Sequence, residues 1–141
     1  MEPWCRSDIT LQRIEGHVRR SLLCARTAIE EWWLPGEEDM PSPLDSYVVS
    51  FVHFHERGFA TPAHKIIRGL LHYYQIKLQH LNPNGIQHMV AFVVLCEGFL
   101  GISPHFDLWR HFFTVTLQKK REKKQELNTP MGCAGIQLRN N

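Results

Sequence analysis

Three pairs, Thr61-Pro62, Asn82-Pro83 and Ser103-Pro104, recur 21 residues apart and divide the middle of the chain into segments of helical length. A Thr, Asn or Ser oxygen can accept a hydrogen bond from a first-turn N–H, and proline at the first helical position gives up no bond while arriving with its φ already set. Each pair therefore predicts a helix start. In the first segment Ala63, Ile66, Ile67, Leu70, Leu71 and Tyr74 line one face of a helix, with Lys65, Arg68, His72 and Gln75 on or near the other. In the second, Ile86, the run Met89 to Cys96, Phe99 and Leu100 leave almost no polar face. That pattern predicts a central helix surrounded by others and closed by Gly101. In the third, Phe106, Leu108, Trp109, Phe112, Phe113, Val115 and Leu117 read as a broad aromatic helical face running toward the basic segment beyond it. The equal spacing is bundle rhythm rather than a repeat, because aligned positions share little beyond the cap-proline start and pairs such as Leu70/Leu71 and Phe112/Phe113.

Upstream, Tyr47 to His55 fits two periods: Tyr47, Val48, Phe51, Val52 and His55 suit a helix, whereas Tyr47, Val49 and Phe51 suit a strand. A helix ended by Gly58 is favoured. Asp8 is placed to cap an N-terminal helix with Ile14, Val18, Leu22 and Ala25 on one face and Arg13, Arg19 and Arg20 exposed. Between Glu30 and Asp45 lie six acids and no Lys or Arg, broken by Pro35, Gly36, Pro41 and Pro43, which predicts an exposed loop. The GCAGIQLR stretch near the end has strand character, but one strand without an evident partner is marginal. The resulting expectation is an all-α, compact bundle of about five helices with an acidic Pro-rich loop and a flexible C-terminal tail. Residues 1–8 form a flexible N-terminus, 9–118 the helical domain, and 119–141 a basic helix end and mobile tail.

A chain of 141 residues, 43% hydrophobic, suffices for one domain around a single core. Cys5, Cys24, Cys96 and Cys133 are far apart with no CxxC pair, and the N-terminus lacks the charged start, apolar centre and small-residue cleavage site of a signal peptide. These features fit a reducing, intracellular setting, cytoplasm or nucleus. The longest apolar run, Met89 to Cys96, is eight residues, well short of the ~20 that cross a bilayer. No membrane partner is expected. A net charge of +2 argues for no particular partner.

Nine histidines invite a metal reading, with His53 and His55 forming HxH and His64, His72, His80 and His88 spaced by eight. Eight residues rotate a helical side chain by roughly 80°, off the face that i and i+4 ligands share. With no CxxC, no HExxH and no carboxylate pair, no metal and no cofactor are expected. Cys96-Glu97 places a thiol beside an acid, but consecutive helical residues face apart, and a Cys in an apolar run is ordinarily inert packing. Glu97 is expected to form a structural ion pair with His88, Arg57 or Arg110. No catalytic residue, enzyme motif or small-molecule substrate is evident. The run Lys119, Lys120, Arg121, Lys123 and Lys124, offset by Glu122 and Glu126, suits phosphate contacts and equally suits a solvated helix surface. Trp32-Trp33 reads as a plug pinning the acidic loop to the bundle or as an exposed protein interface.

The phrases FHERGF, LLHYY, LNPN, LCEGFLGI, PH and LW between Phe54 and Trp109 resemble the gypsy-type transposon domain of plant, especially grass, retroelement-derived proteins. The resemblance covers roughly Ile9 to Arg139 and is strongest from Val48 to Trp109. It implies a non-enzymatic, mostly helical domain from the N-terminal part of a retrotransposon polyprotein or a domesticated fragment of one. The family pattern runs on past the GCxxIQLR stretch carried here by Gly132, Cys133 and Ile136 to Arg139, so this chain reads as a truncated copy. KKREKKQE is outside the family pattern. A CCHC zinc knuckle, an aspartic-protease DTG or DSG and a polymerase YxDD are absent from the sequence. The expected function is a non-catalytic interaction module that associates with another protein or with itself through apolar surface exposed by the shortened C-terminus. Trp32 and Trp33 are candidate interface residues. The alternative is weak, salt-sensitive nucleic-acid binding by Lys119, Lys120, Arg121, Lys123 and Lys124.

Overall fold

The structure is a computed structural model that describes residues 6–26, 32–38, 41–117 and 132–139. Among the described residues five α-helices form: α1 (Leu11–Arg19), α2 (Val52–Glu56), α3 (Lys65–Tyr74), α4 (Pro83–Val94) and α5 (Phe106–Phe112). A 3-10 turn at Leu78–His80 precedes α4, and a π-helical stretch, Leu95–Leu100, continues it. The chain closes with strands β1 (Phe113–Leu117) and β2 (Ala134–Leu138).

These strands overturn the all-α expectation. Helix accounts for about 46% of the structure, and an antiparallel two-stranded sheet makes the fold mixed α/β. The physical reason lies in residues 113–117, whose Phe-Thr-Val-Thr-Leu alternation and β-branched side chains suit a half-buried strand better than a helix end. Val115 pairs with Ile136 and Leu117 with Ala134, which satisfies the ladder that an isolated GCAGIQLR strand lacks. β2 is also fastened on its other side. Asn82 N donates to Ala134 O at 3.0 Å and Gly132 N to Gln79 O at 3.0 Å.

Only one of the three cap-proline pairs starts a helix. Asn82 caps α4 as expected, its Oδ1 accepting from Gly85 N at 2.6 Å with Pro83 in the first turn. Thr61 and Pro62 are joined by a cis peptide bond, and α3 begins later, capped by His64 Nδ1, which accepts from Ile66 N at 3.3 Å. Likewise α5 is capped not by Ser103 but by His105, whose Nδ1 accepts from Asp107 N at 3.3 Å. A histidine ring nitrogen performs the same service as a cap oxygen, satisfying a first-turn N–H. At the N-terminus the cap is Thr10 rather than Asp8. The helix favoured for 47–55 shortens to α2, with Tyr47 to Phe51 in neither helix nor strand.

The core gathers Phe54 and Phe59 from the α2 region, Ile66, Ile67 and Leu70 from α3, and Ile86, Met89, Phe92 and Cys96 along α4. Trp109 is fully buried and stacks on Phe106 (5.7 Å, 10°) and Phe113 (5.7 Å, 24°), binding α5 to the start of β1. β2 contributes Ala134 and Ile136, so the sheet completes the core wall over the N-terminal half of α4. Gly58, at φ +89°, lets the chain turn out of α2 against α4; a Cβ there would lie 2.9 Å from Val90 Cγ1. Only glycine meets both demands without cost.

Candidate interaction surface

The helix expected to be surrounded is covered on one side only. Ile86, Met89, Phe92 and Cys96 face the core, whereas Val94 (51%), Leu95 (49%), Phe99 (80%), Leu100 (58%) and Ile102 (44%) stand in solvent. The widened backbone from Leu95 to Leu100, which continues α4, carries most of these exposed apolar residues. π-helical turns are rare and concentrate at functional sites. Gly101, in the left-handed region at φ +64°, ends the stretch, and Ile102 N donates back to Cys96 O at 2.9 Å. The result is an apolar knob with Phe99 as its most exposed residue.

A fully buried apolar side chain contributes about 1.5–3 kcal/mol, so covering these five partly exposed residues would release on the order of 4–8 kcal/mol. Association costs roughly 4–15 kcal/mol in lost freedom. The knob can therefore anchor a complex, but a partner must add contacts around it. Polar groups rim it: Glu97 Oε1 lies 3.5 Å from His64 Nε2, and Lys65 Nζ donates to Ser103 Oγ at 2.7 Å. Glu97 thus takes His64, not the expected His88, Arg57 or Arg110, because α3 begins beside the end of α4. Arg57 bonds to His53 O at 3.2 Å, and Arg110 lies 3.4 Å from Asp107. Cys96 is buried and packs in the core cluster.

Trp32 and Trp33 join two connecting segments and leave an open aromatic edge. Trp33 is 63% exposed, its Nε1 donates to Tyr47 Oη at 2.9 Å, and the Arg26 guanidinium lies 4.4 Å from its ring centre. Trp32 donates to Cys24 O at 3.2 Å. The basic run Lys119, Lys120, Arg121, Lys123 and Lys124 lies outside the described residues. The exposure of Phe99 is not legible in the sequence, since an apolar position in an apolar run carries no local sign that it faces water.

A second cluster, of histidines, fixes α1 to α2. His17 is buried, with Nδ1 2.7 Å from Arg13 O and Nε2 3.2 Å from Glu56 Oε1; His53 Nδ1 lies 2.9 Å from Glu56 Oε2. These two bonds, that of His53 first, hold the Glu56 carboxyl below its usual range. His55 donates through Nδ1 to Phe59 O at 3.2 Å and faces Ser50 Oγ through Nε2 at 3.0 Å. Burial lowers its pKa against the opposing effect of the Phe59 bond, with His17 lowering it further. The neutral ring accepts the Ser50 hydroxyl and ties the entry of α2 to its exit. Among the described residues no group of three His, Cys, Asp or Glu is arranged to hold a metal ion, and no helix is long and apolar enough to cross a membrane. Next to this cluster, Val18, Leu22, Leu23, Cys24, Ala60 and Thr61 help to line an open hollow of about 300 Å³.

Residues 48–117 match the model of a family described as "Putative gypsy type transposon". The match spans α2 through β1 and contains the Phe99 knob, while the Trp32-Trp33 edge, the basic run and β2 fall outside it. No curated protein and no solved structure matches the chain.

Proposed function

Starting from a core that matches a gypsy-type transposon family, we propose that this chain is a plant-retroelement-derived, non-catalytic interaction module. Its working surface is the apolar knob at the end of α4. The observation that carries this reading is the 80% exposure of Phe99, with Val94, Leu95, Leu100 and Ile102 about half exposed near it in the chain. A contiguous apolar patch on a single molecule commonly marks a partner site. Trp32 and Trp33 supply a second, smaller aromatic surface suited to the edge of an interface.

The test compares wild type with F99D by gel filtration of extracts from cells producing each form. Because Phe99 touches little of the core, F99D keeps the far-ultraviolet spectrum and stability of the wild type, within about 0.5 kcal/mol. The wild type elutes in a species larger than its 16.5 kDa chain, and F99D elutes as the single chain. Identical elution of the two would overturn the reading. The run 119–124 supports a second reading, nucleic-acid binding through phosphate contacts, on the strength of its charge alone.

A further inference from the structure

α1 is held to the rest of the molecule differently from the other helices. Phe54 of α2, Ile66 and Leu70 of α3, Ile86 and Met89 of α4 and Trp109 of α5 all enter the core. α1 contributes no residue to that cluster, nor to the partly buried apolar side chains packed against it. Its one buried side chain is His17, 4% exposed. The seam beside it is thinly filled: the open hollow of about 300 Å³ is lined by Val18 and Leu22 from α1 and the turn after it, and by His55, Ala60 and Thr61 from the α2 region. Among the described residues, the hydrogen bond that joins α1 to another helix is the one between His17 and Glu56.

The partners of His17 fix how many protons its ring carries. Nδ1 lies 2.7 Å from Arg13 O and Nε2 3.2 Å from Glu56 Oε1. A carbonyl oxygen and an ionised carboxylate only accept, so both ring nitrogens donate, and an imidazole with two N–H groups is the imidazolium cation. Either neutral tautomer would set a ring lone pair against one of those oxygens in a buried position. His55 differs: its Nδ1 meets Phe59 O, but its Nε2 meets the Ser50 hydroxyl, which can donate, so one proton suffices. Glu56 and His55 of α2 are the titratable groups that face His17, and His53 acts on it through Glu56, whose second oxygen lies 2.9 Å from His53 Nδ1. The His53 bond first, and then the His17 bond, hold the Glu56 carboxyl below its usual range and keep it ionised into mild acid. Burial, opposed by the Phe59 bond and aided by His17, favours the uncharged form of His55.

We infer that the His17–Glu56 pair is a proton-operated latch that holds α1 on α2 while the His17 ring is charged and frees α1 when that proton leaves. The attached form holds one proton more at His17 than a released form with a neutral ring, so raising the pH favours release and lowering it favours attachment. Histidine is the side chain that ordinarily changes charge between about pH 5 and 8. Losing a hydrogen bond between charged groups shifts the ratio of attached to released forms by roughly tenfold to a hundredfold. Release bares Val18 and Leu22 but leaves the core intact, since no core residue belongs to α1. The latch is independent of the Phe99 surface and goes beyond the interaction reading.

Hydrogen exchange of the full chain, read segment by segment at about pH 6 and about pH 8 and corrected for the intrinsic effect of pH on exchange, tests the latch. Protection of Leu11–Arg19 falls at least about tenfold between the two conditions, relative to the α4 segment of the same molecule. E56Q separates charge from shape. The glutamine amide can donate to a neutral His17 Nε2 while Nδ1–H still meets Arg13 O, so α1 stays attached at the higher pH and the difference between the two conditions disappears. A second readout needs no variant: NMR of the nitrogen-labelled wild type at about pH 6 finds hydrogen on both ring nitrogens of His17 and on Nδ1 alone of His55. Equal protection of α1 at both pH values, a pH difference that persists in E56Q, or a His17 ring with a single N–H in the attached form overturns the inference.

Discussion

Replacing Gly58 with Ala tests how α2 is fitted against α4. Two costs apply. The backbone at φ +89° is one that a side chain adopts at an expense of about 1–3 kcal/mol. The added Cβ would lie 2.9 Å from Val90 Cγ1, and such overpacking costs a further 1–3 kcal/mol because Val90 is itself packed against the core. Alanine restricts the unfolded chain and returns about 0.4–1 kcal/mol. The net expectation is a loss of roughly 1–5 kcal/mol, a large share of the ~5–15 kcal/mol that stabilises an ordinary domain. Urea unfolding followed by tryptophan fluorescence and circular dichroism reads this loss directly, as a midpoint lowered by about 1–2 M. A double-mutant cycle with Val90→Ala separates the two costs: removing the Val90 methyls relieves the clash and leaves the backbone penalty, giving a coupling of at least about 1 kcal/mol. A Gly58→Ala variant within about 0.5 kcal/mol of wild type, or a cycle with no coupling, would refute the reasoning.

Asn82→Ala removes the α4 cap at Gly85 N and should cost about 1 kcal/mol, read from the same urea midpoint, with Asn82→Ser recovering most of it. Stability should decline with acid in two stages. His55 has its folded pKa below the unfolded value near 6.5, so the unfolded chain takes up the proton first and stability falls as pH drops below about 6.5. His55→Asn flattens that slope between pH 7 and 5 in urea titrations, leaving the contribution of His80, which is lowered by burial and then by Lys77. Glu56 has its folded pKa depressed, so its contribution is present above the unfolded carboxylate pKa and is lost only as pH falls through the lower folded value. The basic-run reading expects DNA or RNA binding that weakens steeply with salt and vanishes when Lys119, Lys120, Arg121, Lys123 and Lys124 become Gln; binding indifferent to both changes removes that reading.

What could be read from the sequence was what local chemistry decides. Asn82-Pro83 identified a helix start because cap and proline act within one turn, and the face Ile66, Ile67, Leu70 was visible because burial repeats with the helix. His64 and His105 do not announce themselves as caps, because a histidine carries the acceptor on its ring and is an uncommon choice. β1 resembles a helix in the sequence because Phe113, Val115 and Leu117 continue an aromatic helix pattern, and the partner that decides for a strand, Ala134 to Leu138, follows only after 16 intervening residues. The exposure of Phe99 is a tertiary fact. Nothing in LCEGFLGI distinguishes an apolar residue facing the core from one facing water, and the two differ here only because no described element packs over that side of the helix.

The central claim is that the Phe99 face meets a partner, and site-specific photo-crosslinking in cells tests it most directly. p-Benzoylphenylalanine replaces Phe99 in one form and Gln137 in another. Gln137 is an exposed residue on β2, whose neighbouring Ile136 packs beside Gly85 near the start of α4, about 20 Å along the helical stretch from Phe99 by the 1.5 Å rise per residue. The account predicts a discrete crosslinked protein species from position 99 and none from position 137. Equal crosslinking from both positions, or none from either, would contradict it.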